Sequence, residues 1–171
     1  SYEILKKLQA NSTPILYIIG KRTNFNLFNK LNNGIKINAY NNTSYTSALP
    51  QFNKDFSLFS ISKETIDILT QLPPLSSPLA KFDASQSLQT LFYQTQNTLK
   101  TNYPLITFNN STDNKSATIC GEDIWKWRLR NYLQNNSTEQ VDEIIQKTIQ
   151  YLVSDTDKST FKIKHDNIYN Q

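Results

Sequence analysis

The chain has 171 residues, of which 37% are hydrophobic, 12% aromatic and 19% charged, and its formal net charge is +4. A chain of this length and composition buries one core and forms one folded domain, which excludes an intrinsically disordered protein. Its single cysteine, Cys120, excludes an intramolecular disulfide framework and a multi-cysteine metal site, and its dispersed basic residues argue against a nucleic-acid partner.

The first part of the chain predicts alternating helices and strands. Residues 2–10 carry apolar side chains on one helical face. The continuous apolar run at 15–19, bounded by breakers, predicts a strand buried on both faces, as in a parallel sheet. A short helix at 24–31 and a strand at 35–37 follow. Residues 39–52 are polar and aperiodic, which predicts an excursion over the surface.

The middle of the chain predicts one helix and three strands. Ser62 is a suitable N-cap for a helix at 63–71, which two prolines stop. Apolar runs at 88–93 and 105–108 predict two strands joined by a turn near Asn102, and 116–120 predicts a third. We expect these three strands to form a hairpin-rich edge added to a parallel core.

The last part predicts two amphipathic helices and a strand. The first helix follows Gly121, reaches about residue 134 and has a buried stripe of Ile124, Trp125, Leu129, Tyr132 and Leu133. The second helix starts from a capping box at 137–140 and runs to about residue 153. After a polar linker at 154–159, the alternating residues 161–164 predict the first strand of a following β domain.

Together these elements predict an α/β fold of the Rossmann or flavodoxin-like kind. In this three-layer arrangement, a mainly parallel sheet containing 15–19 and 117–120 is covered by helices that include 63–71 and 141–153. We expect an α/β domain at 1–155 and a linker with the first strand of another domain at 156–171. Because the chain opens on a helical pattern without an initiator methionine, we expect it to be a piece of a longer polypeptide.

Cys120 is the weak candidate for a catalytic residue. It lies at the end of a strand before a helix, where class I glutamine amidotransferases carry their nucleophile. That chemistry needs a thiolate activated by histidine, and the only histidine, His165, lies on the last predicted strand. No complete catalytic set is visible, so we interpret Cys120 as a buried structural thiol.

The charged turn after Cys120 is the candidate binding site. Gly121 and Glu122 follow a strand at its carboxyl end, where open α/β sheets place ligands. Trp127 lies off the predicted stripe beside Arg128, so the two either pack within the domain or anchor a ligand or an interface. No second carboxylate pair completes a metal site, and no cofactor motif is complete.

A set of short segments resembles a family of uncharacterised bacterial cell-envelope proteins. These segments are 15–20, 53–59, 72–75, 103–105, 121–129 and 141–152, and the sharpest is Gly-Glu-x-x-Trp-x-Trp-Arg at 121–128. Members carry a class I glutamine amidotransferase-like domain with N-terminal transmembrane helices and a von Willebrand factor A-like region. They usually have glycine where this chain has Asp123.

The resemblance implies an amidotransferase-like, flavodoxin-like domain that is truncated here at its beginning. It implies a location in the cell envelope, with membrane anchoring only through segments outside this chain. The partners that it implies are other domains of the same polypeptide or envelope proteins, and a small ligand is a further candidate. The expected function is that of a non-catalytic ligand-binding or assembly module. The alternative is a degenerate amidotransferase-like domain or hydrolase that uses Cys120.

Overall fold

The computed structural model describes residues 2–41, 43–109, 111 and 115–154. The strand predicted at 161–164, the division at 155–156 and His165 lie outside these residues. The described part contains the helices α1 (Tyr2–Ala10), α2 (Phe25–Asn29), α3 (Lys63–Ile68, followed by a 3-10 turn at Leu69–Gln71), α4 (Trp125–Asn135) and α5 (Glu139–Val153). Its strands are β1 (Ile15–Ile18), β2 (Ile35–Ala39), β3 (Tyr45–Phe52), β4 (Leu75–Pro78), β5 (Ala80–Ala84), β6 (Leu88–Gln96), β7 (Leu99–Asn109) and β8 (Ser116–Ile119).

Six of these strands form one mixed sheet in the order β1-β8-β7-β6-β3-β4, and β2 pairs with β5 in a separate antiparallel ribbon. Only β1 and β8 run parallel among the described strands, so the prediction of a mainly parallel sheet is wrong. The strands expected as an added edge, β6 to β8, lie in the middle of the sheet. The fold is therefore mixed α/β with a mostly antiparallel sheet.

A tight hairpin explains part of this difference. β6 and β7 are joined at Asn97 and Thr98, whose φ angles of 47° and 73° are left-handed. Two successive left-handed residues match the twist of an antiparallel pair, which makes a two-residue turn sufficient. The turn predicted near Asn102 is wrong, because Asn102 lies within β7.

Strand β1 lies in one sheet with β8, as predicted, but it is less buried than predicted. It pairs in parallel with β8, from Ile15 opposite Ser116 to Ile18 opposite Ile119. Burial on both faces is wrong, since β1 lies at the edge of the sheet and Leu16 and Ile18 are 36% and 53% exposed. A continuous apolar run does not show whether a strand is central or lies at an edge.

The surface excursion predicted at 39–52 is also wrong. Most of this segment is strand β3, which pairs with β4 on one side and β6 on the other. Its buried residues, Ala48 and Pro50, alternate with exposed ones such as Leu49. The polar residues lie between inward-facing ones, so the strand is set by its two neighbours rather than by its own apolar content.

Helices cover both faces of the six-stranded sheet. One core packs the sheet against α3, α4 and α5 and includes Leu91, Leu105, Phe108, Ile119, Trp127, Val141 and Ile144. The other packs it against α1, α2 and the β2–β5 ribbon and includes Tyr17, Ile19, Phe25, Phe28, Ile35, Ile37 and Phe82. The consecutive residues Ile119 and Cys120 belong to different cores, because successive side chains of an extended chain point to opposite faces. The α/β class is confirmed, but a Rossmann or flavodoxin-like fold, which needs a mainly parallel sheet, is not.

A group of partly buried hydrogen bonds joins the start of α3 to α5. Ser62 caps α3 as predicted, and its backbone N–H and hydroxyl donate to the Glu143 carboxylate at 2.9 and 2.7 Å. The Thr65 hydroxyl donates to the same carboxylate. Burial raises the pKa of Glu143, but the hydrogen bonds from Thr65 and Ser62 outweigh it, so the pKa lies below its ordinary value. The contact fixes the two helices against each other.

The capping box predicted for α5 does not form. The Ser137 hydroxyl accepts a hydrogen bond from the backbone N–H of Glu139 at 3.2 Å, not from that of Gln140. The Gln140 side chain accepts a hydrogen bond from Asn131 of α4 at 3.0 Å instead of reaching back. The hydrogen bond between α4 and α5 replaces the local capping bond. Short sequence motifs do not predict such a contact between helices.

Candidate functional site

The carboxyl ends of β1 and β8 meet where the sequence predicted a ligand site. From this point β1 leads to α2, which packs in one core, and β8 leads to α4, which packs in the other. Such a divergence of two parallel strands opens a crevice, and α/β sheets bind ligands in crevices of this kind. Residues 20–23 follow β1 at this point, and residues 121–123 follow β8.

Glu122 occupies this crevice with its own side chain. Its Oε1 accepts a hydrogen bond from the backbone N–H of Lys21 at 2.6 Å. A Cβ atom placed on Gly20 would lie 2.0 Å from that Oε1, so the Glu122 side chain lies directly over the glycine. The main chain of Glu122 also exchanges two hydrogen bonds with Ser76, at 2.9 and 3.2 Å. Glu122 thus joins three segments.

Tyr45 contacts the same turn as Glu122. The Tyr45 hydroxyl donates to the carbonyl oxygen of Gly20 at 3.3 Å. Burial, followed by the charge of Glu122, raises the pKa of Tyr45 above its ordinary value. Gly121 is needed for packing, because a Cβ there would lie 3.0 Å from Cβ of Leu75. A binding role for Gly121 and Glu122 stays a prediction.

Trp127 is not an exposed anchor, so that prediction is wrong. Its side chain is fully buried, its Nε1–H donates to the carbonyl oxygen of Pro73 at 2.7 Å, and its ring meets Phe92 edge-on at 6.3 Å. Asn131, one turn later, is buried on the same side of α4. The helix therefore turns Trp127 and Asn131 inward, opposite to the stripe that the periodicity assigned to the core.

Arg128 is exposed and forms an ion pair with Asp142. Its Nε and Nη2 donate to the two carboxylate oxygens of Asp142 at 2.7 and 3.3 Å. Hydrogen bonds from Arg128 and then from Thr138 hold the pKa of Asp142 below its ordinary value. The pair fixes the angle between α4 and α5, and a further interface role for Arg128 stays a prediction. Glu122, Trp127 and Arg128 thus contact different neighbours and do not form one site.

The outer face of α4 is the apolar surface that the sequence interpretation assigned to the core. Its large side chains are Trp125, Leu129, Tyr132 and Leu133, which are 61%, 49%, 53% and 69% exposed. They lie one and two turns apart and form a row, which we call the α4 face. A broad groove of about 750 Å³ runs between this face and the start of α5. Nothing in the sequence of α4 marks the opposite face as the buried one, because Asn131 on that face is polar.

Cys120 is confirmed as a buried thiol. It is fully buried, and its backbone N–H donates to the carbonyl oxygen of Leu105 at 2.7 Å. Burial raises the pKa of the thiol far above its ordinary range. A neutral, inaccessible thiol is not a nucleophile, which argues against the amidotransferase-like alternative.

The burial of Cys120 predicts slow modification. We expect Ellman's reagent to leave the folded chain unmodified at pH 7.5 and to react only as urea unfolds it, because the thiol must first be exposed. The measurement is the labelling rate against urea concentration, compared with the unfolding curve from circular dichroism. Rapid labelling without urea would contradict the burial.

The described residues contain no group of three or more histidine, cysteine, aspartate or glutamate side chains placed to hold a metal ion. Within the same part of the chain, no helix combines the length and the apolar content needed to cross a membrane.

Comparisons with protein-family models, with curated proteins and with solved structures give no match. The resemblance to cell-envelope proteins accordingly stays a prediction from sequence motifs. The function has to be argued from the geometry of this chain.

Proposed function

We propose that this domain is a non-catalytic assembly module that binds an amphipathic helix through the α4 face. The occupant is an apolar helix with acidic flanks, carried by a neighbouring domain of a longer cell-envelope polypeptide. The observation that carries the proposal is the row of Trp125, Leu129, Tyr132 and Leu133 left in solvent. The envelope setting and anchoring through segments outside this chain rest on the motif resemblance alone.

The composition of the row supports a protein partner. Contiguous exposed apolar side chains are uncommon on a soluble surface and mark interaction sites. Tryptophan and tyrosine supply much of the binding energy at interfaces because they bury a large area with few rotatable bonds. The row follows helical spacing, so a partner helix can lay its own apolar row along it.

The charged residues around the row indicate which charges a partner helix should carry beside its own apolar row. Glu139, at the start of α5, lines the far side of the groove. Within α4 itself the charged residues are Lys126, Arg128 and Arg130, and none is acidic. Lys126 pairs with Asp123 at 2.8 Å and Arg128 with Asp142, whereas Arg130 makes no ion pair within the described part of the chain. A helix with glutamate beside its apolar row therefore complements this face, and a lysine-flanked helix is repelled.

The test uses a synthetic amphipathic helix of about 18 residues with leucine on one face and glutamate on both flanks. Binding is followed by tryptophan fluorescence, because Trp125 is 61% exposed and shifts to shorter wavelength when covered, whereas Trp127 is already buried. We expect Leu129→Glu to weaken binding about tenfold or more. Gln146→Glu, on α5, makes the same change of charge at an exposed position outside the row and should bind as the parent does.

A peptide with lysine in place of glutamate provides the second arm. We expect it to bind about tenfold more weakly than the acidic peptide at low salt, and the difference to shrink as salt is added. The proposal fails if the acidic peptide does not bind, if both peptides bind equally, or if Leu129→Glu has no more effect than Gln146→Glu.

A further inference from the structure

We propose that the outer edge of β1, together with the pocket beside it, binds an extended peptide as an added strand. The peptide we expect carries one bulky apolar side chain and an acidic terminus. This site uses neither α4 nor α5, so it goes beyond the assembly role and stands or falls separately. β1 is the end strand of the sheet, and no described strand pairs with its outer side.

The backbone of β1 presents hydrogen-bonding groups that have no partner among the described residues. The N–H groups of Ile15 and Ile19 donate toward β8, to the carbonyl oxygens of Lys115 at 3.3 Å and Ile119 at 2.9 Å. Because successive amides of a strand point to opposite sides, those of Leu16 and Ile18 point away from the sheet. An edge of this kind accepts another strand unless charges, proline or a covering element prevent it. Residues 15–18 contain no charge and no proline.

The pocket beside β1 supplies a place for a side chain. It has a volume of about 250 Å³ and lies between β1, α1 and α2, with Leu5, Tyr17, Leu27 and Phe28 among its walls. Alternate side chains of an added strand point to the same face of the sheet. One of them would enter this pocket, while main-chain hydrogen bonds hold the peptide, as in other cases of strand addition.

Basic residues at one end of the site favour an acidic group at the corresponding end of the peptide. β1 is followed by Lys21 and Arg22, and Arg22 lines the pocket together with Thr23. No aspartate or glutamate lines the pocket. Arg22 makes no ion pair within the described residues, so an acidic group on the peptide would complete its pairing.

The experiment uses fluorescein-labelled peptides that alternate threonine and valine around one phenylalanine, with two aspartates at either the amino or the carboxyl terminus. Binding to the full chain is measured by fluorescence anisotropy. We expect one of the two peptides to bind and to slow amide exchange of Leu16 and Ile18 about tenfold or more. Replacing its aspartates with lysines should weaken binding about tenfold.

Two variants test the contacts. Ile18→Pro removes an outward-facing N–H without removing a hydrogen bond to β8, and we expect it to abolish binding, whereas Ile18→Thr keeps the N–H and should bind. Arg22→Glu should weaken binding of the acidic peptide about tenfold, and Lys100→Glu, at an exposed site on β7, should not.

Several results would overturn the proposal. These are no binding of either acidic peptide, equal binding of acidic and basic peptides, or no change in exchange at Leu16 and Ile18. Normal binding by Ile18→Pro would do the same. Slow exchange at these amides in the free chain would show that the edge is already covered, which also contradicts the proposal.

Discussion

Replacing Trp127 with alanine is expected to lower the free energy of unfolding by about 3–5 kcal/mol, the usual loss when a large aromatic side chain leaves a cavity in a core. The ring is fully buried and packs edge-on against Phe92, and its Nε1–H satisfies the carbonyl oxygen of Pro73. Removing the indole thus loses packing and leaves a carbonyl without its donor. The measurement is urea unfolding followed by far-ultraviolet circular dichroism.

The matched control is Trp125→Ala, two residues earlier in the same helix. Trp125 is 61% exposed, so we expect a change within about 0.5 kcal/mol, as for other surface positions. Trp127→Phe should lie between the two, since it keeps most of the ring but loses the hydrogen bond to Pro73. Equal losses for Trp125→Ala and Trp127→Ala would contradict the orientation of α4.

The contrast between the two tryptophans shows what the sequence could predict. Local signals were sufficient for α1, for the N-cap of α3 at Ser62 and for the presence of β1 and β8 in one sheet. The existence of α4 was also predicted, but its orientation was not. The more apolar row was assigned to the core, and the structure buries Trp127 and Asn131 instead.

The reason is that burial depends on partners distant in the chain. Trp127 is held by Pro73 and Asn131 by Gln140 of α5, and no periodicity within α4 reports these contacts. The same limit explains β3, whose place in the sheet depends on β4 and β6 on either side. A helix with an apolar row on one side and a tryptophan on the other has two possible orientations, and only the complete fold selects one.

The position of Gly121 and Glu122 just beyond the end of β8 was predicted, but the contacts of Glu122 were not. Gly121 and Glu122 do lie where the parallel strands diverge, as the position after a strand predicted. The sequence could not show that Glu122 fills that crevice itself, because its partner Lys21 lies 101 residues away. Glu122 therefore makes its hydrogen bonds within the chain, and the two binding surfaces that we propose, the α4 face and the edge of β1, lie elsewhere.

The closure of the crevice makes a prediction about Gly20. We expect Gly20→Ala to lower the free energy of unfolding by about 1–3 kcal/mol, the usual range for losing a hydrogen bond to a charged group. The new Cβ would lie 2.0 Å from Oε1 of Glu122 and 2.5 Å from its Cγ, so the side chain must leave and give up its hydrogen bond to Lys21. The backbone is not the cause, because the φ of Gly20 is not among the left-handed ones.

A second substitution separates this clash from a general loss of stability. In Glu122→Ala, which lacks Cγ and the carboxylate, the same Gly20→Ala change should be nearly neutral, or stabilising by about 0.4–1 kcal/mol because alanine restricts the unfolded chain. Urea unfolding of the parent, both single variants and the double variant gives a coupling energy, which we expect to be about 1–3 kcal/mol. If Gly20→Ala costs the same with and without the Glu122 side chain, Glu122 does not fill the crevice, and the space at the ends of β1 and β8 is open to a ligand.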